Sequence, residues 1–233
     1  MSWLNGPVAS LDTESTGVDM NTDRVITACL GYSEHPGDWA PSEWLIDPGV
    51  PIPAEATKVH GITDEMASEG VAAAVALADI RLCLERIADL RVPLVIFNAP
   101  YDLSLLDAEF HRHLGQPLPD GLLVVDVLVL FRRFDFTTGN KRLGDLAFRN
   151  GIKFPAHDAT ADALASLRLL HILAADNDLL PVVPVADLQP LQAKWHAAHQ
   201  EAAAAKRRGN GQSANDFNTD WPIRALAAQP SAA

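Results

Sequence analysis

The order of the apolar runs is the strongest constraint this chain places on its own fold. Val8-Ala9-Ser10-Leu11, then Val25-Ile26 with Ala28-Cys29-Leu30, then Trp44-Leu45-Ile46 come first, separated by short connections. Such segments read as strands, and short connections favour antiparallel hairpin pairing. The period then changes. Residues 71–90 are rich in Ala, Leu and Ile, with Leu77, Ile80, Leu84 and Ile87 at helical spacing, and Leu94-Val95-Ile96-Phe97 follows as a fourth strand. Residues 101–114 set Leu105, Leu106, Phe110 and Leu114 on one helical stripe, broken by Gln116-Pro117-Leu118-Pro119-Asp120-Gly121. A fifth apolar segment, Leu122 to Phe131, precedes helices over 142–150 and 160–175, with Gly151 as the stop of the first. Three strands followed by strand and helix in alternation predict an α/β domain: a mixed sheet of about five strands with flanking helices.

Near residue 176 the composition shifts. Asp176-Asn177-Asp178 and two prolines, Pro181 and Pro184, lead into an Ala-rich helix over 187–208, with Leu188, Leu191 and Trp195 as its sizeable apolar residues. The stretch from Gly209 is rich in Gly, Asn, Ser, Pro and Ala apart from the segment Phe217 to Ile223. This organisation gives a domain over 1–175 and a helical appendage over 176–233 whose extreme end is poorly ordered.

Charge narrows the function classes. The formal net charge is -12, and residues 1–175 hold 24 acidic side chains against 13 basic ones. That balance argues against a protein that grips long duplex nucleic acid through its phosphates. It leaves room for one that holds a short chain end through bound cations, which reverse the local sign at a carboxylate site. No apolar run reaches the roughly 20 residues of a membrane span, so no membrane partner is expected. The N-terminus lacks the basic and apolar regions of a secretory signal, and a cytoplasmic, reducing setting is the expectation. Cys29 and Cys83 sit inside apolar segments without metal-type spacing and read as buried thiols.

Five residues carry chemistry. Asp12 and Glu14 end the first apolar run and, two apart on a strand, share one face. Asp102 follows the fourth strand through Asn98-Ala99-Pro100-Tyr101, and His157 and Asp162 open a helix with four residues between them. Four carboxylates and one imidazole, each just past a buried element, suit a site that holds divalent metal and moves one proton. Asp126 is a further acid at a strand's end and is left outside that set. Asp158 reads as a helix cap.

The segments Asp-Thr-Glu-Ser-Thr-Gly at 12–17, Val-His-Gly-Ile-Thr-Asp-Glu at 59–65, Phe-Asn-Ala-Pro-Tyr-Asp at 97–102 and His-Asp-Ala-Thr-Ala-Asp-Ala at 157–163 resemble, in order and separation, the motifs of the DnaQ-like 3′–5′ exonucleases. They match the branch with a catalytic histidine (DEDDh), and the nearest subgroup is the proofreading epsilon subunit of bacterial DNA polymerase III. The resemblance covers about residues 8–175. It implies a ribonuclease-H-like fold and two bound Mg²⁺ or Mn²⁺ ions, with Asp12, Glu14 and Asp162 holding the metal beside the attacking water. Asp12 would also reach the second ion, with Asp102 assisting. His157 would take the proton from that water; an imidazole titrates near neutrality, which suits the task.

The same resemblance implies that His60 meets the terminal nucleotide, and that Glu55, Thr13 and Thr16 contact the substrate. Asn98 reads as ordering the turn before Asp102, with a substrate contact as the alternative. Ser15 stands where Thr is frequent, Phe97 replaces a common His, and Pro100-Tyr101 replaces a small residue and Phe. None of these removes a ligand or the base.

The expected activity is metal-dependent hydrolysis of single-stranded DNA from its 3′ end to nucleoside 5′-monophosphates, in proofreading or repair, with a DNA polymerase subunit as candidate partner. Two alternatives stay open. One is an exoribonuclease acting on short or structured RNA ends, since the 2′-hydroxyl contact that would discriminate is not readable. The other is a replisome interaction module on a nuclease scaffold; Trp195, Phe217 and Trp221 are candidate anchors for a polymerase or clamp, with docking back on this domain as the favoured alternative.

Overall fold

The computed structural model describes residues 2–225. The expectation of a disordered extreme end, so far as it concerns residues 226–233, lies outside them.

Six strands form one sheet: β1 (Val8–Ser15), β2 (Val25–Ser33), β3 (Ala40–Asp47), β4 (Val71–Ala72), β5 (Pro93–Ile96) and β6 (Leu123–Asp126), in the order β4-β3-β2-β1-β5-β6. β1, β2 and β3 pair antiparallel, as their short connections require. β5 and β6 run parallel to β1, each reached through a helical crossover. The sixth strand is two residues long, and periodicity hid it: Val71 and Ala72 pair with Ile46 and Asp47 just where the expected helix begins.

The helices are α1 (Ala54–His60), α2 (Asp64–Ser68), α3 (Ala73–Asp89), α4 (Ala99–Leu114), α5 (Val127–Phe134), α6 (Leu143–Arg149), α7 (Ala159–Ala175) and α8 (Val185–Gly209). α3 and α4 cover one face of the sheet. Leu77, Ile80, Leu84, Leu103, Leu106 and Phe110 pack there against Ala9, Leu11, Leu94 and Ile96. α5, α6 and α7 cover the other, where Leu130, Leu146, Leu167 and Leu170 meet Val8, Val95 and Val125. Truncating any of these fully buried leucines to alanine costs about 3 kcal/mol. The segment 122–131 is not one element: it divides at Asp126 into β6 and α5.

α8 lies along β6, the outer strand, and satisfies its free edge. The Gln192 amide accepts from the Asp126 N–H at 2.7 Å and donates to the Val124 carbonyl at 3.0 Å, while Gln189 Oε1 accepts from the Val124 N–H at 2.6 Å. An open edge invites pairing with another chain, and two glutamines close this one. Val185 and Leu188 join the buried cluster under α7. Among the described residues no helix is long and apolar enough to cross a membrane.

Candidate active site

The site arises because β1 outlasts its parallel neighbour. β5 ends opposite Leu11, whose partner is Ile96, so β1 continues from Asp12 to Ser15 with no strand on that side. Strand alternation then sorts its side chains. Val8 belongs to the cluster under α7 and Ala9 and Leu11 to that under α4. Asp12 and Glu14 therefore face α7, and Thr13 faces α4.

Asp162 lies in the first turn of α7 and Asp102 in the first turn of α4. Helix N-termini favour negative charge at both positions. Thr13 donates to Asp102 Oδ1 twice, from its amide at 3.0 Å and its hydroxyl at 2.7 Å. The amide left unpaired by the end of β5 thus receives a carboxylate, and Asp102 is drawn to the tip of β1. The His157 N–H donates to Asp162 Oδ2 at 3.1 Å, and His157 adopts a left-handed backbone, φ 65°. Its ring is exposed, and one ligand atom each from Glu14, His157 and Asp162 lie within 4.8 Å of one another.

The electrostatics show what this constellation lacks. Burial pushes Asp12 well above the usual carboxylate range, and Asp102, Asp162 and Glu14 push it further. Burial, then Asp162 and Asp102, raise Glu14 to about 8. Asp102 and Asp162 rise to about 7, chiefly through burial, although the Thr13 bonds and the His157 amide work the other way. Asp162 Oδ1 is buried without a hydrogen-bond partner. Four clustered carboxylates with an orphaned oxygen, paired with no cationic side chain among the described residues, fit a hard divalent ion, whose preferred ligands are oxygens.

The other residues singled out in the sequence fall at different distances from this centre. His60 ends α1, where Gly61 takes φ 78° and turns the chain so that the Ile62 N–H donates to His60 Nδ1 at 3.1 Å. The proton of a neutral ring is thereby left on Nε2, which is buried beside the Ser15 backbone without a properly formed bond. Burial holds the His60 pKa below its ordinary value, with His157 adding to the effect. Glu55 is exposed in the first turn of α1. The Thr13 hydroxyl is committed to Asp102. Thr16 Oγ1 is likewise occupied, donating to Asp23 at 3.0 Å and accepting from the Arg24 amide at 2.9 Å. Asn98 is left-handed, φ 68°, and forms the turn into α4.

Asp126 is fully engaged as a scaffold. Its two oxygens accept from the amides of Asn98, Ala99, Leu128 and Val129 and from Trp221 Nε1, so it caps α4 and α5 together. Asp158 caps α7 through the Ala161 amide. Two departures from the family pattern meet in space: Tyr101 Oη lies 2.5 Å from Ser15 Oγ and donates to the Gly17 carbonyl at 2.7 Å, tying α4 to the end of β1. Nothing in the sequence announces that pairing. The Gln189 and Gln192 contacts could have been suspected, as two amides three apart on one face of an otherwise Ala-rich helix.

Residues 10–170 match the family described as Exonuclease. The chain belongs to the exonuclease family. Similar proteins include a DNA polymerase III subunit epsilon-like protein of Rhodobacter capsulatus, 36% identical over 141 residues, which are 56% of this chain and 18% of that one. The DNA polymerase III subunit epsilon of Treponema pallidum is 28% identical over 171 residues, 72% of this chain and 76% of that one. The fold is also that of Escherichia coli exonuclease I, solved in a zinc-bound complex with single-stranded DNA. The match has a TM-score of 0.66 at 18% identity and covers 86% of this chain and 45% of that chain. The chain therefore spans less than half the length of two of these proteins.

Proposed function

We propose that this chain is a divalent-metal-dependent 3′–5′ exonuclease that removes nucleoside 5′-monophosphates from single-stranded DNA ends. The observation that carries the reading is the convergence of Asp12 and Glu14 from β1, Asp102 from α4 and Asp162 from α7, with His157 at its rim. Asp12, Glu14 and Asp162 would hold metal beside the scissile phosphate, and Asp102 would assist from the other side of β1. Two Mg²⁺ or Mn²⁺ ions, when bound, lower the pKa of water and neutralise charge on the phosphate and the leaving oxygen.

The protein's own groups supply the rest. His157 accepts the proton of the attacking water; its exposed ring leaves room for that exchange. The His157 amide holds Asp162 Oδ2 and leaves Oδ1 free to bind metal. His60, at the end of α1, would pack against the terminal nucleotide while its Nε2 stays buried beside the Ser15 backbone, and the Thr13 and Thr16 hydroxyls support the site from within by holding Asp102 and closing the β1–β2 loop. Residues 1–175 carry this chemistry, and the segment after them braces β6.

The epsilon-type relatives favour a place beside a DNA polymerase, in proofreading, and with it a cytoplasmic setting. The decisive test compares 3′-mismatched and matched primers, with matched RNA as a third substrate, in Mg²⁺ or Mn²⁺. Preferential trimming of the mismatched DNA end supports the reading. Faster turnover of the RNA would replace DNA as the substrate, and no hydrolysis of any of them would leave the nuclease fold as a scaffold.

A further inference from the structure

A cleft of about 690 Å³ opens from Asp162 and His157 towards the segment 140–145 and α5. Its far wall is basic in a protein of net charge -12: Arg132, Lys141 and Arg142 all line it. The three differ in what else they do. Lys141 is bound to the Asp135 carboxylate and to the carbonyls of Asp135 and Thr137. The side chains of Arg132, half-buried in the last turn of α5, and Arg142, exposed at the start of α6, make no hydrogen bond or ion pair among the described residues. Arg133, next in the chain, is by contrast stacked over Phe134 and Trp195. Asp126 is within electrostatic reach of Arg132, but its oxygens already accept five N–H groups. Asp145 shares the cleft wall and pairs with neither arginine.

A half-buried guanidinium without a carboxylate gives up hydration with nothing on the protein to replace it, and planar N–H forks match phosphate oxygens. We propose that Arg132 and Arg142 bind the backbone phosphates of the nucleotides behind the terminal one, so that this cleft is the track along which the single strand is held. The inference rests on the proposed nuclease function and adds the substrate's path. It also accounts for how an acidic protein keeps hold of a polyanion: the metal site takes the end, and two uncommitted arginines take the strand.

The test separates strand holding from chemistry. A fluorescent ten-nucleotide oligothymidylate is titrated with the full chain in Ca²⁺, and turnover is followed separately on that oligonucleotide and on thymidine 5′-monophosphate p-nitrophenyl ester, which has no second phosphate. Arg132→Gln is expected to weaken oligonucleotide binding roughly tenfold. Arg142→Gln, a surface change that leaves the fold alone, is expected to weaken it several-fold. In each variant the dependence of log affinity on log salt should lessen by about 0.7 per phosphate lost, with ester turnover unchanged. Wild-type affinity and salt dependence in a folded Arg142→Gln and Arg132→Gln would overturn the proposal, as would equal losses on ester and oligonucleotide. An inactive wild-type protein whose strand binding still depends on both arginines would instead refute the nuclease reading and leave the track in place.

Discussion

Thr13 gives both its amide and its hydroxyl to one oxygen of Asp102, across 89 positions of sequence. That pair explains how a carboxylate from one face of the sheet reaches a site whose other acids lie on the opposite face. Asp102 is almost completely buried, at 3% exposure, so the two donors largely fix its position.

Thr13→Val keeps the shape of the side chain and removes the hydroxyl donor. We expect a stability loss of about 1 kcal/mol, the ordinary worth of one buried hydrogen bond, and roughly a tenfold fall in kcat from the looser carboxylate. Thr13→Ser should recover most of both. Thermal denaturation and initial-rate assays of the two variants check this; a fully active Thr13→Val would show that the hydroxyl does not position Asp102.

The clustered acids make stability depend on pH with an unusual sign. Asp102 and Asp162 at about 7, Glu14 at about 8 and Asp12, raised by burial and its acidic neighbours, all bind protons more tightly folded than unfolded. Their contribution is complete below their unfolded values near 4 and is lost as pH rises through the folded ones. Asp135, held at about 2 largely by Lys141 and Thr137 against the effect of burial, acts oppositely, losing its contribution only in strong acid. In EDTA the melting temperature should therefore fall between about pH 5 and 8, and Mg²⁺ or Mn²⁺ should restore it at the upper end. A flat EDTA profile over that range would contradict the electrostatic account of the site.

Asp126 should prove structural. Asp126→Ala leaves four backbone amides and the Trp221 indole without their acceptor, and we expect about 3 kcal/mol or more of lost stability. Asp126→Asn, which keeps one acceptor oxygen, should lose less. Urea denaturation reads the difference. In the folded fraction of Asp126→Asn, kcat within a fewfold of wild type would separate this acid from the other four.

His157 offers a clean test of its role because its backbone is left-handed, a conformation glycine accepts without strain. His157→Gly should melt within a degree or two of wild type, while kcat falls roughly 10²–10⁴-fold and added imidazole recovers part of it. Undiminished turnover would remove His157 from the proton transfer.

Much of this was legible in the sequence, for physical reasons that also mark the limit. Asp12, Glu14 and Asp102 end or follow apolar runs, His157 and Asp162 open a helix, and period-2 alternation puts Asp12 and Glu14 on one face. β4 was not legible, because two residues have no periodicity, and α5 was hidden because its apolar residues continue those of β6. Gln192 and Tyr101 act through partners far away in the chain, which spacing alone cannot supply. α8 reads as a separate Ala-rich helix for the same reason: beside Val185 and Leu188, what binds it to β6 is a pair of amides whose partners lie far away in the chain.

Asp12→Asn decides whether the four carboxylates are a metal site serving hydrolysis. Release of mononucleotides from a single-stranded oligonucleotide is measured for wild type and variant in Mg²⁺, Mn²⁺ and EDTA, beside their melting temperatures in EDTA. The account predicts turnover by wild type in either ion and none in EDTA. It predicts at least a 10³-fold loss in the variant, on the order of what removing an essential catalytic group costs, together with a higher metal-free melting temperature from relieved repulsion. Equal turnover by the two proteins, or undiminished wild-type turnover in EDTA, would contradict it.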